Sequence, residues 1–174
     1  MANLTDVLEQ GHREIDSRFR QFEHTRDPVT ALEACEGLRR HMDLEALVMC
    51  PMLASEISVE WASQVEERHN EARNVASEVE ACREENRFRE LVTQLRQLAL
   101  RHWRDNSQAV LPLMAESLGP AEMARLGEDA LAFGRQYQGE AGVIDLVALE
   151  AEAKSNAAST DEMEMAGRRR SSST

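Results

Sequence analysis

The chain has 174 residues, enough to bury one hydrophobic core without disulfides, and we expect one domain over residues 1–138 followed by a tail over residues 139–174. Asp and Glu outnumber Lys and Arg by 32 to 20, a formal net charge of −12, so a phosphate backbone would be repelled and no nucleic-acid partner is expected. No apolar stretch approaches the roughly 18 residues of a membrane span, so no membrane partner is expected either. The three cysteines lack CxxC spacing, and no signal peptide is recognisable, which favours free thiols in a reducing cytoplasm.

The first half of the chain predicts two long helices. Apolar residues at three- and four-residue intervals predict the first helix from Asn3 to Thr25. Asp27 is then a suitable N-cap, with Pro28 at the first helical position. Since a proline inside a helix removes a hydrogen bond, we expect Pro51 to kink or end the second helix near Cys50.

The second half predicts two more long helices and a shorter one. Ser58 is a suitable cap for the third helix, and the charged junction 83–87 leads into the fourth. Gly119-Pro120 predicts a stop and a new start, with a fifth helix over residues 121–133. We expect a brief amphipathic helix over residues 143–149 and a disordered acidic and Ser-rich tail over residues 150–174. The apolar stripe of the fourth helix comprises Phe88, Leu91, Leu95, Leu98, Ala109 and Leu113.

These elements predict an all-α fold, an antiparallel up-down-up-down four-helix bundle with a short additional C-terminal helix and a disordered tail. We find no internal repeat, no Gly-rich phosphate loop and no alternation of strands and helices.

Four of the five histidines lie one per predicted helix, each on the apolar stripe: His12, His41, His69 and His102. At roughly 1.5 Å per residue, helices that alternate in direction bring all four to nearly one level of the bundle interior. A single histidine on an apolar face is usually a hydrogen-bonded core residue, but four at one level favour a metal site. His24 lies off the stripe and is expected at the surface.

Acidic and amide residues share these faces. Glu45 lies four residues after His41, on the same helix face, and a carboxylate buried there is destabilising unless a cation accompanies it. Asp105 and Asn106 follow His102 at three and four residues. Imidazole and carboxylate ligands without thiolate suit iron, manganese or zinc.

The ordered set of motifs resembles the hemerythrin-like, or HHE cation-binding, domain family over about residues 5–118. The resemblance lies in His12, then HxxxE at 41–45 with Pro51 after it, then His69, then His102 with Pro112 after it. It implies a four-helix bundle with a non-haem di-iron centre, and it carries the ligand positions over to His12, His41, Glu45, His69 and His102.

The chain departs from the family pattern at Asn106, where a second carboxylate is expected. A neutral amide does not readily bridge two ferric ions, so the site holds either one metal tightly and a second weakly, or it recruits Asp105. A local π-bulge near Pro112 would be needed to turn Asp105 inward. Otherwise Asp105 is a solvated acid paired with Arg101 or Arg104.

Three functional hypotheses follow from these residues. The first is a protein whose iron binds or senses O2, nitric oxide, peroxide or iron itself. The second is a di-iron enzyme acting on peroxide, Fe(II) or nitric oxide, or repairing iron centres. The third is a bundle with a partly degenerate mononuclear site that serves as an interaction protein.

Overall fold

The computed structural model describes residues 3–137, and all of its regular structure is helical, with no strand within that range. The predictions for residues 139–174 lie outside the described residues. Two π-helical turns, Glu45–Met49 and Asn106–Val110, interrupt the α-helices without ending them. The α-helices are α1 (Leu4–Thr25), α2 (Pro28–Leu44), α3 (Cys50–Glu56), α4 (Val59–Ala81), α5 (Glu85–Asp105) and α6 (Leu111–Tyr137).

The predicted helix starts are confirmed by their caps. The Asn3 side chain accepts a hydrogen bond from the backbone of Asp6, whose carboxylate accepts one in return from Asn3, forming a capping box. Asp27 caps α2 with Pro28 at its first turn, and the Ser58 hydroxyl accepts from the backbone N–H of the third residue of α4. Each cap satisfies backbone donors that a helix start leaves free.

Of the two outcomes predicted for Pro51, a kink or an end of the second helix, the helix does not end. The chain remains helical from residue 28 to residue 56, because the π-turn widens the backbone just before the proline. The Cys50 N–H bonds to the carbonyl of Glu45, five residues back. Pro112 follows the second π-turn in the same way, with the Leu111 N–H bonded to the carbonyl of Asn106. The extra residue accommodates each proline within one continuous helix.

The predicted break at Gly119 is present. Gly119 has φ +74°, a left-handed conformation that suits a residue without a side chain, and the chain resumes its helix at Pro120. The last helical stretch runs to Tyr137, somewhat beyond the predicted end at residue 133.

The interior formed by residues 3–137 contains two separate apolar cores. The core that we call the terminal core is built around Leu4, Leu8, Leu53, Val65 and Met114, and α6 packs across it. The core that we call the loop core is built around Ile15, Phe19, Leu38, Val79 and Leu95. The predicted stripes therefore face inward, except that Ala109 and Leu113 at the end of the fourth are only half-buried, and the four predicted histidines fall between the two cores.

In the part of the chain that the structure describes, no helix combines the length and the apolar character that crossing a bilayer requires.

Candidate metal centre

The residues between the two cores form a layer of polar side chains, each supplied by a different helical segment. His12 comes from α1, His41 from α2, His69 from α4 and His102 from α5, while Glu45 opens the first π-turn. All are buried. The predicted convergence of the four imidazoles at one level is confirmed, and it places Glu45 among them.

One carboxylate oxygen of Glu45 faces the first two helices. Oε1 lies 3.1 Å from His41 Nε2 and 3.7 Å from His12 Nε2. We call these three atoms the α1/α2 half of the site. His12 Nε2 is buried and has no hydrogen-bond partner, although it points into a polar layer.

The other carboxylate oxygen faces α4 and α5. Oε2 lies 2.7 Å from His69 Nε2 and 2.7 Å from His102 Nε2, and these two nitrogens are 3.3 Å apart. We call these three atoms the α4/α5 half of the site. Each half has two imidazole nitrogens and one carboxylate oxygen close enough to hold a metal ion.

Burial and the charges of neighbouring groups together set the protonation of this layer. Burial lowers the pKa of His12 from 6.5 to about 4, against the opposing pull of Glu45, and it lowers the pKa of His69 in the same way. Burial alone would raise the pKa of Glu45, but attraction to His102 and His41 outweighs it and holds that pKa well below the usual value. At neutral pH, then, His12 and His69 are neutral rings beside an ionised carboxylate, which is the state that a metal ligand requires.

Two neighbours shape the α1/α2 half. The Trp103 indole stacks on the His12 ring with centroids 4.9 Å apart and planes 20° apart, which fixes that ring from one side. Gly11 lets α1 approach His41, since a Cβ at this position would lie 2.8 Å from His41 Nδ1. A side chain at position 11 would therefore occupy the space of the imidazole.

Asp105 is not brought into the site. Its Oδ2 lies 3.1 Å from Arg68 Nη1 and its side chain is 36% exposed, so it is a solvated acid with a partner on α4 in place of the expected Arg101 or Arg104. The predicted π-bulge exists, but it begins at Asn106, one residue too late to turn Asp105 inward. His24, as predicted, is exposed.

Asn106 occupies the position at which the family pattern places a second carboxylate. It is fully buried, and its Nδ2 donates a hydrogen bond to Glu45 Oε1 over 2.9 Å. The opposite amide orientation would set two acceptor oxygens against each other. Asn106 Oδ1 consequently points away from Glu45, buried and without a hydrogen-bond partner.

Residues 41–51 and 102–112 share one spacing of His, Glu or Asn, and Pro, although the sequence analysis found no internal repeat. Glu45 and Asn106 are separated by 61 residues, and the same offset relates His41 to His102 and Pro51 to Pro112. Each set starts a π-turn at the fourth residue after the histidine. The constant offset of 61 residues is the feature of the sequence that could have revealed this shared spacing. It identifies Asn106 as the counterpart of Glu45.

Comparison with models of known protein families, with curated proteins and with solved structures finds no match. The assignment of a function therefore depends on the site itself.

Proposed function

We propose that this protein is a hemerythrin-like, antiparallel four-helix bundle that holds two non-haem iron ions bridged by Glu45, and that it binds or senses O2 or a related small oxidant. The free thiols at Cys35, Cys50 and Cys82 suit a cytoplasmic location, which we include in the proposal.

The observation that carries the proposal is the division of Glu45 between two histidine pairs. Each carboxylate oxygen faces its own two imidazole nitrogens, as a bridging carboxylate does between two ions. A buried carboxylate is costly unless positive charge compensates it. Four nitrogen donors and one anionic oxygen, without thiolate, are a ligand set that iron accepts.

A hydrogen-bonded network without a cation is the competing explanation. All four rings would then carry their proton on Nε2 and donate it to Glu45. His12 Nε2 argues against this arrangement, because at 3.7 Å from the carboxylate it makes no hydrogen bond despite its burial.

The chain's own residues would prepare the site in three ways. The Nε2 atoms of His12, His41, His69 and His102 would donate lone pairs, and Glu45 would bridge. The apolar cores on either side exclude water, which strengthens electrostatic attraction to a bound ion. Iron held there would supply the affinity for a small oxidant.

The test is metal content under aerobic purification, together with the near-ultraviolet absorption of an oxo-bridged ferric pair. We expect iron in the protein, and a melting temperature that falls when a chelator removes it. The double variant His41→Ala with Glu45→Ala should lose the iron, whereas His24→Ala, a surface histidine, should retain it. Metal-free protein with a melting temperature indifferent to chelator would refute the proposal.

Asn106 favours a second candidate, a di-iron enzyme, because a site with one bridging carboxylate has fewer protein ligands and more room for substrate. Turnover assays with hydrogen peroxide, Fe(II) and nitric oxide separate the two candidates. Stoichiometric binding without turnover supports the binding protein, and sustained turnover supports the enzyme.

A further inference from the structure

The two halves of the site are unequal in geometry. In the α4/α5 half, the three ligand atoms are separated by 2.7, 2.7 and 3.3 Å. At an ion with octahedral geometry, two donors held at right angles at about 2.1 Å lie about 3.0 Å apart, so this half already has nearly the spacing of an octahedral ligand shell. In the α1/α2 half, His12 Nε2 stands 3.7 Å from Glu45 Oε1.

The two oxygens of Glu45 also differ in their other partners. The neighbours of Oε2 are His69 and His102. The Nε2 atom of a neutral imidazole can lose its proton to the other tautomer and then offer a lone pair to a cation. Oε1 additionally accepts from the amide of Asn106 over 2.9 Å, and the same amide nitrogen lies farther, 3.2 Å, from His102 Nε2. An amide N–H cannot be deprotonated under these conditions, so it competes with any ion for Oε1.

From these two differences we infer that the two halves bind metal in a fixed order, with the α4/α5 half first and tightly and the α1/α2 half second and weakly. Asn106 sets the gap between the two affinities through its hydrogen bond to Oε1. The inference rests on the proposed metal function and adds the roles of the individual residues to it.

The direct experiment is a titration of metal-free protein with Mn(II), which accepts octahedral geometry, followed by calorimetry, and with Co(II), followed by its visible absorption. The wild-type chain should bind two equivalents in separate steps, with the first at least tenfold tighter. His12→Ala should keep the first step and lose the second, and His69→Ala should lose the tight step. His24→Ala is the matched control and should reproduce the wild-type titration. Equal losses in the His12 and His69 variants, or the reverse order, would overturn the inference.

Asn106→Leu supplies an independent test, since it keeps a similar volume and removes the amide donor. We expect the second step to tighten by about tenfold and the first to tighten by less, because the amide nitrogen lies 2.9 Å from Oε1 but 3.2 Å from His102 Nε2. An unchanged or weaker second step would overturn the role of Asn106. Helical circular dichroism of each metal-free variant checks folding, and the two histidine variants still decide the order if Asn106→Leu does not fold.

Failure of the proposed function gives a different result from failure of this inference. If the wild-type chain binds neither ion, the metal function itself is wrong. If it binds two ions with the order reversed or with equal affinities, the metal function stands and only the ordering is wrong.

Discussion

Gly11→Ala should damage the metal site while improving the helix that carries it. Alanine is favoured over glycine inside a helix by about 0.8–1.0 kcal/mol, so α1 alone would gain stability. The new Cβ, however, would lie 2.8 Å from His41 Nδ1 and 3.2 Å from its Cε1. An ordinary contact of about 3.5 Å requires the ring to move by roughly 0.7 Å.

Such a movement disturbs the contact of 3.1 Å between His41 Nε2 and Glu45 Oε1. Displacing a ligand or its support typically costs 10- to 100-fold in metal affinity, and we expect a loss of about that size in the second Co(II) step. The first step, which uses α4 and α5, should be unaffected.

The assay is a Co(II) titration of a double-mutant cycle that combines Gly11→Ala with His41→Ala. Without the His41 imidazole, the new methyl group has no steric clash with a metal ligand. In the His41→Ala background, Gly11→Ala should therefore leave Co(II) binding unchanged and raise the free energy of unfolding by up to about 1 kcal/mol. If Gly11→Ala alone leaves both binding steps as in the wild type, the close approach of α1 to His41 is not what positions that ligand.

Three further predictions concern acid, thiols and the second carboxylate. Unfolded His12 takes a proton near pH 6.5 but the folded form takes one only near pH 4, so the stability of the metal-free protein should be constant between about pH 6.5 and 8 and should fall by up to about 3 kcal/mol between pH 6.5 and 4. Urea unfolding against pH measures this change, and His12→Gln should flatten the slope. Stability that increases on acidification would contradict the prediction. Burial raises the pKa of Cys35 and of Cys50 to about 12, which leaves each with roughly a thousandfold less thiolate than an ordinary cysteine. A disulfide reagent at pH 8 should therefore react rapidly with one thiol per chain, that of Cys82. Three rapid equivalents would refute this prediction. Asn106→Glu should raise bound iron toward two per chain by restoring the second carboxylate, as measured by metal analysis, and an unchanged iron content would mean that the second position is blocked elsewhere.

The helices and the histidine level could be predicted from sequence because both depend on local rules. Caps such as Asn3, Asp27 and Ser58 fix where helices start, and regular periodicity then fixes which residues face inward. Counting residues from the links was enough to place His12 and His41 at one height. The direction in which each histidine nitrogen points, and its distance from Glu45, depend on packing between helices that sequence spacing does not encode.

The π-turns explain where the sequence-based prediction was wrong. A stripe extrapolated at 3.6 residues per turn from α5 assigned Ala109 and Leu113 to the core. The structure buries Val110, Leu111 and Met114 in their place, since the inserted residue rotates everything after it by about one position. The same turn starts after Asp105, which therefore keeps ordinary helical geometry and faces solvent.

The division of the interior by a polar layer has a consequence for variation of this chain. A side chain in the loop core, such as Phe19 or Leu95, contacts no residue of the terminal core. Substitutions in the two cores should therefore change the free energy of unfolding additively. Each end can then be redesigned for heat resistance on its own, and only the residues that border the histidines must be kept as they are.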